Sequence, residues 1–70
     1  MNKNEIIRYI CDNSNLNPED AVTAIDGLVF AIEDALSHGD DVNIDELGKL
    51  TRKKNKICFA ASKKLLQDVA

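Results

Sequence analysis

Few residues of this chain could do chemistry. Its one histidine, His38, directly follows Ser37. Sequence neighbours do not make a nucleophile and its base, and an imidazolium at a helix end suits the negative pole of the dipole better. The stretch "DVNID", Asp41–Asp45, opens with the D-x-N-x-D spacing of a calcium loop. The pattern then breaks: Glu46 stands where the loop needs glycine, Arg52 stands where the closing bidentate glutamate belongs, and residues 41–44 alternate like a strand. Two cysteines, Cys11 and Cys58, satisfy the parity of one bridge. With no second ligand type beside either, each reads instead as a small buried hydrophobe in a reducing compartment. No catalytic residue, metal ligand or cofactor is expected.

What remains is charge. The 70 residues carry a formal net charge of −3, yet seven of the nine basic residues fall within "GKLTRKKNKICFAASKK", residues 48–64: Lys49, Arg52, Lys53, Lys54, Lys56, Lys63 and Lys64. Over residues 1–47, Lys3 and Arg8 stand against eleven carboxylates, a balance of −9; over 48–70, seven bases stand against Asp68, a balance of +6. The chain is dipolar. A basic turn admits two readings, an exposed edge kept from aggregating or a grip on nucleic-acid phosphates. Lys63 and Lys64 favour the second, because cations in the first turn of a helix oppose its dipole by roughly a few tenths of a kcal/mol each. A phosphate there would meet free amides, the Ser62 hydroxyl and both lysines.

These residues need elements to hold them. Asn2 with Glu5 three residues on forms a capping pair, and Ile6, Ile7, Ile10 and Cys11 recur at helical spacing, which predicts a first helix over about 3–13 that ends in "NSN". In "NPED", Asn17 caps, Pro18 takes the first helical position, and Glu19 and Asp20 suit the positive pole; this helix runs to about Ser37 and stops at Gly39. The period then shortens to 2. Val42 and Ile44, then Leu50, then Ile57 and Phe59 alternate with polar or small neighbours, predicting three short strands. "KKN", Lys53–Asn55, is expected as a three-residue hairpin loop with Asn55 in the left-handed conformation. Ser62 caps a last helix through Leu65, Leu66 and Val69. The class is α+β: a two-helix N-terminal base, a short three-stranded antiparallel sheet and a C-terminal helix, in a single domain over 1–70.

A lone domain of this size buries only about 60% of the surface that its unfolded chain exposes. Three aromatic residues, Tyr9, Phe30 and Phe59, leave an aliphatic core. The second helix is apolar around much of its circumference: Ala21, Ile25, Leu28, Ile32, Ala35 and Leu36 line one face, and Val22, Val29 and Phe30 widen it. Such a helix must be covered on more than one side, which calls for a second copy. The start, "MNKNEIIRYI", lacks the pattern of a signal peptide, so a soluble, cytoplasmic protein with no membrane partner is expected.

The arrangement resembles the HU/integration host factor family of bacterial DNA-binding proteins. The residues that carry the resemblance are "MNKNEII", "LNPEDA", "AIEDALSHGDDVNI", "LGKL" at 47–50 and "FAASKKLLQDV". It implies an HU-like intertwined homodimer, with Ile25, Leu28, Val29, Ile32, Leu36, Leu47, Leu50 and Phe59 between the chains. It also implies a saddle that meets DNA through Lys3, Gly48, Lys49, Arg52, Ser62 and Lys63; Lys53, Lys54 and Lys56 belong to the shortened tip and have no family equivalent, and Lys64 joins Lys63 at the start of the last helix as a further DNA contact. Two departures stand out. The family's long β-ribbon arm, which inserts a proline between base pairs, is replaced here by "RKKN", and the only proline is Pro18. Asp45 and Glu46 occupy positions where the family has an apolar residue and a glycine.

The expected function is weak, sequence-nonspecific binding of double-stranded DNA through Arg52–Lys56 and the start of the last helix, in the bacterial or phage nucleoid, with bending lost or reduced. The alternative is an interaction module that pairs with a full-length HU-type subunit, or antagonises one through its acidic face. A helix-turn-helix reader fits poorly, because the second helix is acidic at its start and apolar beyond.

Overall fold

The helix starts follow from side chains that replace missing backbone partners. A computed structural model describes all residues, 1–70, with α1 at Lys3–Asp12, α2 at Pro18–Ser37, β1 at Val42–Ile44, β2 at Gly48–Lys53, β3 at Lys56–Ala61 and α3 at Lys63–Val69. At α1 the Asn2 side chain accepts from the Glu5 amide at 2.9 Å while the Glu5 carboxylate reaches back to the Asn2 amide, a reciprocal capping box. Its end is closed by polar side chains: Asn13 Nδ2 donates to the Tyr9 carbonyl and Ser14 Oγ to that of Ile10. At α2, Asn17 Oδ1 accepts from the Asp20 amide at 2.9 Å.

The chain divides into two compact units, Met1–Ala31 and Ile32–Ala70; α2 begins in the first and ends in the second. In the first, Ala21 is fully buried, and Ile7, Ile10, Cys11 and Ile25 are half-buried. The second unit opens with the end of α2. The Gly39 amide donates to the Leu36 carbonyl and the Asp40 amide to that of Ala35, a Schellman motif that requires the positive φ of Gly39, +80°. His38 Nδ1 lies 2.7 Å from the Asp34 carbonyl oxygen, so the histidine serves the helix end, as its position in the sequence implied.

Beyond it the strands form an antiparallel sheet in the order β1-β2-β3. Val42 faces Leu50 and Ile44 faces Gly48 on one side; on the other, Leu50 faces Phe59, Arg52 faces Ile57 and Lys53 faces Lys56. The hairpin between β2 and β3 is shorter than the sequence suggested. Lys53 belongs to the ladder, so the loop is two residues, Lys54 and Asn55, and the positive φ, +56°, falls on Lys54 instead of Asn55. A positive φ at the first central residue alone is the pattern of a type II′ turn, whose twist matches that of the strands.

Gly48 fixes where this ladder starts. Its φ is +151°, and a Cβ there would run into the Ala60 carbonyl oxygen and lie 2.8 Å from Phe59 Cζ. The aromatic ring thus occupies the space that a side chain would take. No helix is long and apolar enough to cross a membrane. Replacing Gly48 with Ala should cost about 2–4 kcal/mol through strained backbone and overpacking; urea denaturation of Gly48→Ala beside wild type measures the loss.

Candidate nucleic-acid interface

Side chains two apart on a strand share a face, and the register sorts the sheet into two unlike surfaces. One holds Val42, Ile44, Gly48, Leu50, Arg52, Ile57, Phe59 and Ala61; the other holds Asn43, Lys49, Thr51, Lys53, Lys56, Cys58 and Ala60. The second is polar and basic, and Lys54 extends it at the hairpin tip. Lys53 and Lys56 sit directly opposite each other at the distal end. Like charges so placed destabilise a strand pair by about 0.2–1 kcal/mol.

The cations differ in what they already hold. Lys49 pairs with Asp41 at 3.3 Å and Lys64 with Asp68 at 2.8 Å, whereas Arg52, Lys53, Lys54, Lys56 and Lys63 have no carboxylate within 4.0 Å. Lys3, in the first unit, pairs with Asp26 at 2.6 Å.

The start of α3 is tied to the β1–β2 connection. The Leu47 amide donates to the Ile44 carbonyl, closing a turn with Asp45 and Glu46 as its exposed central residues. The Ser62 amide then donates to the Leu47 carbonyl, and Ser62 Oγ donates to that of Glu46 while accepting from the Leu65 amide, each at 3.0 Å. Ser62 therefore both caps α3 and holds the acidic turn beside it. The hydroxyl expected to greet a phosphate is already engaged twice.

The structure brings Lys49, Lys53, Lys54 and Lys56 together but sets Arg52 apart. Arg52 is adjacent to Lys53 in sequence, and for that reason points to the opposite, apolar face. It lines a hollow of about 410 Å³ with Ile32, Glu33, Leu36, Leu50 and Ile57. The alternation Leu50, Arg52 in the sequence carried that signal. Gly48 is buried, its close approach being to Phe59 and Ala60. Cys58 is not the buried hydrophobe expected; it lies exposed on the polar face across from Thr51, and Cys11 is half-buried, both as free thiols. Among the apolar residues expected between chains, Leu36 is buried, Ile25, Ile32 and Leu50 are half-buried, and Leu28, Val29, Leu47 and Phe59 are exposed.

The family profile of bacterial DNA-binding proteins matches residues 1–57. DNA-binding protein HU 1 of Bacillus subtilis is 38% identical over 48 residues, 69% of this chain and 52% of the relative. DNA-binding protein HRm of Rhizobium meliloti is 31% identical over 51 residues, 73% and 57% of the two chains. The chain thus spans about half the length of the curated relatives it matches. The solved structure of HU from Thermotoga maritima superposes with a TM-score of 0.90 at 26% identity, and a point mutant of it with 0.93 at 25%, each over 100% of both chains.

Replacing Ser62 with Ala should remove the cap of α3 and its tether to the acidic turn together. A loss of about 1–2 kcal/mol in urea denaturation is expected, with faster hydrogen exchange at the Leu65 amide.

Proposed function

The chain belongs to the HU/integration host factor family of bacterial DNA-binding proteins, and from that premise we propose that it is a dimeric nucleoid protein that holds duplex DNA by its phosphates. The observation that carries this reading is the basic face of β2 and β3. Lys53 and Lys56 oppose each other with no carboxylate in reach, and Lys54 adopts a backbone conformation that favours glycine. The opposed lysines repel each other in the isolated chain and become favourable when an anion lies across the tip.

The proposed contacts are Lys49, Lys53, Lys54, Lys56 and Lys63, with Lys64 at the margin. Lys3, Gly48, Arg52 and Ser62 are left out: Lys3 belongs to the first unit and not to the sheet, Gly48 is buried, Arg52 is turned to the apolar face and Ser62 is engaged in a cap. None of the contacts presents the planar fork that reads bases bidentately, so binding is without sequence preference. The hairpin closes within two residues of Lys53 and carries no apolar wedge to open a base step, so the DNA stays nearly straight.

Surface area supports the dimer. Large apolar side chains left open within each unit are surface that a second copy can cover. Phe30, Ile57 and Phe59 are 68%, 56% and 51% exposed. Light scattering should report twice the 7.7 kDa chain mass.

A second reading, a module that pairs with or blocks a full-length HU-type protein, draws on the exposed acidic turn held at the start of α3. Titration of a fluorescent duplex at several salt concentrations separates the two. For the DNA binder, affinity falls with salt by about 0.9 logarithmic units per phosphate neutralised, and Lys53→Gln, Lys54→Gln and Lys56→Gln together flatten the slope. Replacing Asp45 with Ile and Glu46 with Gly should strengthen binding. Wild type silent at low salt, with binding appearing only in that acid-free variant, would make the acidic turn a block and put the interaction module first.

A further inference from the structure

Arg52 is the one cation of the hairpin that the phosphate-binding face does not absorb. It stands on the apolar side of the sheet, across from Ile57, at a hollow whose walls are Ile32, Leu36, Leu50 and Ile57. Glu33 lines the same hollow. The two opposite charges share this hollow without an ion pair or side-chain hydrogen bond, and each is exposed. Beside them, Ile57 and Phe59 leave an apolar surface uncovered.

We propose that this hollow is a subunit-docking site for a second copy of the chain, and that Arg52 is its specificity-determining charge, pairing with Glu33 of the other copy. The inference rests on the dimer described above but not on DNA binding. Three features fit a second copy. Ile57 and Phe59 beside the hollow are 56% and 51% exposed, apolar surface that a second copy would cover. The patch is apolar at its centre and charged at its edge, the anatomy of a protein interface. Its two charges are opposite, so a two-fold contact, in which each copy presents the same patch, matches the Arg52 of one with the Glu33 of the other, twice over. Apolar contacts hold the chains together, and the charges decide which chains associate, because a partner without the matching carboxylate leaves Arg52 unpaired against an apolar wall.

Charge reversal tests this directly. Arg52→Glu sets like charges against each other twice in a homodimer, and so does Glu33→Arg; each should raise the dimer dissociation constant by about tenfold or more in analytical ultracentrifugation. An equimolar mixture of the two single variants restores two attractive pairs and should form a heterodimer of near wild-type affinity, detected by native mass spectrometry. Arg52→Gln should leave the salt slope for DNA unchanged, unlike the lysine variants. If wild type is itself a monomer, the dimer reading falls and takes this proposal with it. If wild type dimerises but the single variants associate as well as it does, or the mixture fails to recover while the doubly substituted chain does, the pair is not formed between copies and this proposal alone is overturned. A reduced salt slope in Arg52→Gln with an unchanged dimer would return Arg52 to the DNA-binding set.

Discussion

The register of β2 against β3 decides what this protein can touch. One residue of slip would exchange the faces, placing Leu50 and Phe59 among the lysines. Gly48 pins that register at its inner end, where the Phe59 ring fills the place of a Cβ and the backbone takes a φ open to glycine. The two-residue turn at Lys54 and Asn55 pins the outer end. Between these points six residue pairs are locked. The separation of a basic surface from an apolar one follows without further instruction, as does the isolation of Arg52 from Lys53.

Local signals in the sequence were sufficient for the helices. A cap is a matter of three or four residues, so Asn2 with Glu5, Asn17 with Pro18 and the Gly39 stop could be read directly, and the structure places α1, α2 and α3 where they implied. The strands were legible through alternation. What resisted was anything set across strands. Whether Lys53 belongs to the loop or the ladder depends on its partner Lys56 and hence on Gly48, many residues away in the pairing. Residue type alone makes Cys58 a candidate for burial, whereas its exposure follows from its face of the sheet. Ser62 was visible as a cap, but its second bond, to the Glu46 carbonyl, spans 16 residues and leaves no pattern in the sequence. For Arg52 the signal was present, since it lies two residues from Leu50; the density of charge around it concealed the alternation.

The family resemblance and the residue-level chemistry bear on different questions. The family accounts for the order of elements. It does not account for the two carboxylates, Asp45 and Glu46, at the turn before Leu47, which place negative charge beside the start of α3.

Distance and screening connect these features. At physiological ionic strength charges further apart than about 8 Å act nearly independently in water, so a phosphate at the hairpin tip responds to the charges gathered near that tip. Asp45 and Glu46 are different in kind, because hydrogen bonds from Ser62 fix their turn to the start of α3, beside Lys63. An anion reaching Lys63 meets that turn; one reaching Lys53, Lys54 and Lys56 does not depend on it. The basic surface is therefore graded, open at the hairpin tip and guarded at the helix start. The net charge of −3 is a sum over the whole sequence; the potential at the tip is set by Lys53, Lys54 and Lys56, none of which has a carboxylate within 4.0 Å.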